Sequence, residues 1–169
     1  MNDDKTNKCV LVAYYSLSGN TARVARDLAA RLNADIESIQ DLEHGTGLLG
    51  RLAAVFDALR KAPASIGTIQ HDPTAYELIV VGTPVWVGQM TPAVRAYLQA
   101  IRGRTRNVAL FVTSGNTGIE KIAPSMETLA ERQAAASIGF NAKELAAAAT
   151  YKERLDTFAA SVERALASD

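Results

Sequence analysis

Residues 9–32 read CVLVAYYSLSGNTARVARDLAARL, and this stretch decides the fold. Its opening run, Cys9–Tyr15, is β-branched and aromatic and apolar on both faces, as expected of a strand covered by helices on either side. Past Thr21 the apolar period changes. Val24, Leu28 and Leu32 share one face of a helix, while Arg23, Arg26, Asp27 and Arg31 can face water. Between strand and helix lies Ser16-Leu17-Ser18-Gly19-Asn20-Thr21, a turn of small hydroxyl residues around a glycine.

The same alternation extends along the chain. Leu78–Val81 and Val108–Val112 are further two-sided apolar runs. Asp35–Ile39 alternates polar and apolar residues and suits a strand nearer an edge, and Ser137–Phe140 is a short fifth strand. Helical patterns fall between them. Leu48, Leu49, Leu52, Val55, Phe56 and Leu59 recur at helical spacing. Val94, Leu98 and Ile101 follow Thr91 as a cap and Pro92 at the first helical position. A fourth helix spans about 118–132, and the last carries Leu155, Phe158, Ala159, Val162 and Leu166 on one side. Strand and helix in alternation predict a doubly wound parallel α/β sheet. The 169 residues fit one domain, with residues 1–7 a flexible N-terminus and 62–75 an irregular crossover.

Composition narrows the function classes. Lysine plus arginine equals aspartate plus glutamate at 18 each, a balance that gives no support to nucleic-acid binding or to a polybasic membrane contact. Cys9 is the only cysteine, so neither a disulfide framework nor a multi-cysteine metal site is available. His44 and His71 lack ligand spacing and read as plain surface residues. No apolar run is long enough to span a bilayer, and the polar start MNDDKTNK has no signal-peptide architecture, so the expectation is a cytoplasmic protein without membrane insertion.

In open sheets of this kind ligands bind beyond the carboxyl ends of the strands. Three loops meet that condition. In the first, Ser16, Ser18 and Thr21 offer hydroxyls, Leu17 and Asn20 complete the turn, Gly19 permits close backbone approach, and a helix N-terminus follows: an anion cradle of neutral donors. It lacks the lysine of a P-loop and the three glycines of a dinucleotide fingerprint. The second loop, Gly82-Thr83-Pro84-Val85-Trp86-Val87-Gly88-Gln89-Met90-Thr91-Pro92, carries the only tryptophan between two glycines, a platform for a flat aromatic ligand. The third, Thr113-Ser114-Gly115-Asn116-Thr117-Gly118, has small donors suited to the polar edge of a planar ring. Each alone could be an ordinary turn. Together they offer phosphate donors, an aromatic plane and a polar rim, the set that FMN requires.

At these residues the chain resembles the flavodoxin family. Ser16–Thr21 is similar to that family's phosphate loop, and Tyr76–Leu98, YELIVVGTPVWVGQMTPAVRAYL, resembles the flavin loop and following helix. The resemblance implies a three-layer sandwich with a five-stranded parallel sheet in the order 2-1-3-4-5. It also implies one FMN, with its phosphate on Ser16–Thr21 and its ring against Thr83, Pro84, Val85, Trp86, Val87, Gly88, Thr113, Ser114, Gly115 and Asn116. The flavin would supply the chemistry, so no catalytic acid or base is named.

Two departures matter. The third loop has no aromatic residue to cover a second ring face, and the chain is neutral where electron-carrier flavodoxins are acidic. The ring loops, 83–90 and 113–118, contain no carboxylate. Acidic residues near a flavin disfavour its anionic reduced form, so their absence predicts a less negative second potential. The run GTPxxxGxM also resembles flavodoxin-like quinone reductases. The expected activity is therefore electron transfer through bound FMN to a redox partner protein, with an NAD(P)H-dependent quinone reductase as the alternative.

Overall fold

The computed structural model describes residues 9–43, 63–116 and 118–168. His44, Thr117, the expected helix at 48–61 and the N-terminal residues 1–7 lie outside them.

Strand β1 (Val10–Tyr14) is followed by helix α1 (Asn20–Arg31) and strand β2 (Asp35–Ser38). The chain re-enters the sheet as β3 (Leu78–Trp86), turns back as the short β4 (Gln89–Met90) and continues into α2 (Pro92–Ile101). Strand β5 (Asn107–Ser114), α3 (Ile119–Ala130), β6 (Ala134–Asn141), α4 (Ala142–Ala146) and α5 (Ala148–Ala167) complete it. The sheet order is β2-β1-β3-β5-β6, all parallel, with β4 antiparallel to β3. Setting β4 aside, this is the expected order 2-1-3-4-5.

Alternation along the strands builds the layers. Leu11, Ala13, Ile79, Val81, Val108, Leu110 and Val112 point to one face, where Val94, Leu98 and Ile101 of α2 and Ile122 and Met126 of α3 cover them. Val10, Val12, Leu78, Val80, Ala109 and Phe111 point to the other, under Val24 and Leu28 of α1 and Leu155, Phe158 and Val162 of α5. The expected apolar faces of these helices are the faces that are buried.

Two expectations, on Gly82 and His71, are corrected. The five parallel strands stand as expected, and β3 in addition continues past Val81 to Trp86 and folds back as the short β4. Its sequence concealed this behind Gly82 and Pro84, both poor strand formers. Pairing with β1 ends at Gly82, so Pro84 lies where β3 is flanked only by β5 and a missing N–H is tolerated. Gly82 does not open the ligand loop. It is buried in β3, and a Cβ there would collide with the ring of Phe111, which fills its place. His71, read as a surface residue, is half-buried, and its Nδ1 lies 2.7 Å from Tyr76 Oη.

Candidate functional site

The three loops identified in the sequence emerge together at the carboxyl end of the sheet, and each is tied to the other two. Tyr15, just past β1, packs edge-on against Trp86 with ring centroids 5.8 Å apart and planes at 84°. Thr21, in the first turn of α1, places its Oγ1 2.8 Å from Thr113 Oγ1 on β5. Pro84 is registered against Thr113 through the β3–β5 ladder.

The first loop is shaped by Gly19. Its φ of +93° is a left-handed conformation that glycine adopts without strain, and its N–H donates to Ser16 Oγ at 3.2 Å. Because Gly19 holds the N-cap position, no side chain caps α1, and no acidic residue lies in the first turn. The first-turn N–H groups and the positive end of the helix dipole are therefore directed at the turn. Ser18, Gly19 and Asn20 are exposed, Ser16 and Leu17 are half-buried, and Thr21 is enclosed. Arg23 is turned away: its Nη1 donates to the Leu145 carbonyl at 3.0 Å and its guanidinium stacks 4.4 Å from the Tyr151 ring centre. The cradle is thus formed of neutral donors.

The second loop is a two-residue β-hairpin. Val85 pairs with Met90 and Trp86 with Gln89, leaving Val87 and Gly88 at the tip with φ of +49° and +72°. Positive φ at both tip residues is the geometry of a type I′ turn. A β-branched residue rarely adopts it, and Val87 does so with 59% of its surface exposed. The base of the hairpin is pinned from inside. Thr83 Oγ1 donates to the Pro84 carbonyl at 2.9 Å and accepts from the Thr91 N–H at 3.2 Å, with Thr91 Oγ1 also 3.2 Å away. Thr91 stands at the N-cap of α2 as expected, but its hydroxyl faces Thr83 and makes no capping bond. Pro84, Val85 and Trp86 are half-buried, and Met90 anchors the returning arm in the core.

In the third loop Thr113 is buried, Ser114 half-buried, and Gly115 and Asn116 exposed. One charged group beside this loop was not singled out in the sequence. Glu120, in the first turn of α3, folds its carboxylate back over Gly118. The preference of acidic residues for a helix N-terminus was the available signal. A hollow of about 150 Å³ opens beside this loop, bounded by Asn116, Glu120, Asn141, Glu144 and Arg154 among others, and takes no residue from the first two loops.

Glycines test whether the three loops can accept a ligand. Among the described residues a Cβ built at Gly19, Gly88 or Gly115 would meet nothing within 4 Å, so one glycine in each loop borders space that these residues leave open. By contrast, a Cβ at Gly82 would overlap the Phe111 ring, and one at Gly139 would sit tightly, 3.2 Å from the Ile119 nitrogen. Burial raises the pKa of the Tyr15 hydroxyl, with the charge of Asp41 adding to it, so the tyrosine beside Trp86 is neutral at physiological pH.

This architecture is the flavodoxin-like fold. The chain superposes on a flavoprotein of Lactobacillus acidophilus, whose structure is a complex with FMN, with a TM-score of 0.69 at 20% identity over 82% of this chain and 97% of that one. The rubredoxin oxygen:oxidoreductase of Desulfovibrio gigas gives a TM-score of 0.61 at 18% identity, covering 96% of this chain and 37% of the larger one. Flavodoxin 2 of Bacillus cereus gives 0.53 at 18% identity over 92% and 97%. No family model and no curated protein matches the sequence. No described helix is long and apolar enough to cross a membrane.

Proposed function

We propose that the three loops hold one FMN and that the protein transfers electrons through it. The observation that carries this reading is the convergence of three mutually tied loops, each with a glycine bordering open space, on one end of the sheet. The donor set fits the group. Uncapped N–H groups and hydroxyls without a cation suit a phosphate that stays bound rather than one being transferred. The half-buried indole of Trp86 suits a flat ring, and the exposed polar residues at 114–116 suit its edge. The Lactobacillus protein of the same fold has FMN in its complex, which supports the assignment. When bound, FMN supplies one- or two-electron redox chemistry. The protein contributes binding, orientation and a local field.

Ser16, Ser18, Gly19 and Asn20 bind phosphate, Trp86 and the hairpin tip cover one ring face, and Ser114, Gly115 and Asn116 meet its polar edge. Glu120 adds a negative charge beside that edge, which lowers the potential relative to a site without carboxylates. A second reading rests on the third loop. Its lack of an aromatic residue leaves a ring face for a nicotinamide or quinone, as an NAD(P)H-dependent quinone reductase requires.

The deciding experiment is anaerobic addition of NADPH, then NADH, to FMN-loaded protein while the visible flavin absorbance is followed. No bleaching by either nucleotide, with reduction by dithionite, supports a carrier fed by a partner protein. Prompt bleaching reversed by a quinone makes it a reductase. Failure of the protein to bind FMN overturns both readings.

A further inference from the structure

The chain treats the two edges of its sheet differently. Along β2 the 65–70 connection covers the edge. Leu42 N–H donates to the Ser65 carbonyl at 2.9 Å, Gly67 N–H to the Gln40 carbonyl at 2.8 Å, and Gln70 N–H to Glu37 Oε1 at 2.7 Å. Along the outer side of β6 no described strand is paired. β6 has eight residues, AAASIGFN, without a charge or a proline to deter pairing, and Ala135 and Ser137 are exposed. Two features bound its open part. The register shifts where Ala134 gives way to Ala136, and at the other end Arg154 Nη2 donates to the Gly139 carbonyl at 2.8 Å. That bond shows Gly139 turning its backbone away from β5. Backbone N–H and C=O groups alternate sides from residue to residue in a strand, so Ser137 turns the same way, at the middle of the edge.

We infer that β6 pairs antiparallel with β6 of a second copy of this chain, about a two-fold axis through Ser137, joining two sheets into one. Ser137 then exchanges backbone bonds with the partner's Ser137. Ala135 opposes the partner's Gly139, whose carbonyl has a second lone pair beyond the one that Arg154 uses. Charge selects a second copy as the occupant. α5 runs beside the edge, with Glu153 at its end near Ile138 and Arg164 at its end near Ala135. Both are exposed, and neither has an ionic partner among the described residues. The two-fold reverses one α5 against the other and brings each Glu153 to the partner's Arg164, two attractions per dimer. A patch that complements itself in this way defines an isologous interface. The formal net charge of the chain is zero, so two copies have no overall repulsion to overcome. Antiparallel pairing points the carboxyl ends of the two sheets apart. Both ligand sites therefore stay open, and the dimer is independent of the FMN reading.

The test is the mass of the full chain in solution, by light scattering and sedimentation over a range of concentrations. Wild type is expected to reach twice the mass of one chain. Ser137→Lys places a charge at the centre of the pairing and should leave only monomer; the side chain is exposed, so the fold is kept. Glu153→Arg and Arg164→Glu should each weaken association about tenfold, because two attractions become two repulsions. The variant carrying both reversals should regain wild-type association. A wild-type chain that stays monomeric throughout overturns the inference. So does a dimer that survives Ser137→Lys, which would put the contact on another surface, and so does a double variant that associates no better than the single ones.

Discussion

At the amino end of the sheet, Tyr76 Oη donates to Asp35 Oδ2 at 2.7 Å. The tyrosine has one proton, so His71 Nδ1, also 2.7 Å away, is the donor in the second bond. At the carboxyl end the buried polar contacts include two hydroxyl pairs, Thr21 with Thr113 and Thr83 with Thr91. The amino end closes over a charged group with long side chains and holds the 66–76 connection against β2. The carboxyl end satisfies its buried hydroxyls in pairs and leaves glycines and uncapped N–H groups at the surface. The difference separates structure from function. Polar groups at one end are used up in fastening the chain, while those at the other fasten the loops and keep a surface available for a ligand.

Substitutions can break or sharpen this contrast. The largest effect is expected where the two ends meet in the core. Gly82→Ala drives a methyl group into the Phe111 ring and should cost about 3 kcal/mol of stability in urea unfolding, an overpacking penalty. A cost below about 1 kcal/mol would show that Phe111 has room to move. Next, Trp86→Ala should weaken FMN binding by about 2 kcal/mol, the range of aromatic stacking, and reduce quenching of flavin fluorescence. Unchanged affinity and quenching would remove the stacking role.

Tyr76→Phe is the counterpart at the amino end. It should lower stability by about 1 kcal/mol, since the bonds to Asp35 and His71 are lost, and leave FMN affinity at the wild-type value. A change in FMN affinity would contradict the division between the two ends.

The smallest effect at neutral pH emerges only in alkali. Burial raises the pKa of Tyr15, Tyr76, Tyr97 and Tyr151 above 10.0, assisted at Tyr76 by its bond to Asp35 and at Tyr151 by its bond to Asp27. The folded state then holds these protons at a pH where the unfolded chain has released them. The contribution to stability is complete below pH 10.0 and is lost as pH rises toward the folded-state values. Thermal unfolding should show a falling midpoint above that pH, and Tyr76→Phe should make the fall shallower.

Much of this was legible in the sequence, because two-sided apolar runs alternating with 3.6-residue periods permit few folds. Cys9–Tyr15, Leu78–Val81 and Val108–Val112 each contain or lie within a central strand, and the periodic faces of α1, α2 and α5 are the buried ones. Local chemistry also marked the cradle, since a glycine between hydroxyl residues at a strand–helix junction takes its conformation from its own backbone. The course of β3 beyond Val81 was not legible. Gly82 and Pro84 are weak strand residues, and what keeps them in the strand is the ladder to β5 and the Phe111 ring, which are contacts remote in sequence.

The sequence by itself therefore determined the layers, the strand order through its resemblance, and which loops lie at the carboxyl end, because periodicity and turn chemistry act over a few residues. Only the tertiary structure decided what each hydroxyl does. Thr21, Thr83 and Thr113 look like ligand donors in the sequence and Thr91 like a helix cap, yet all four are buried, and Thr21 and Thr113 bond to each other across two loops. A hydroxyl takes its role from the acceptor or donor beside it, and that neighbour is fixed only when distant segments pack together.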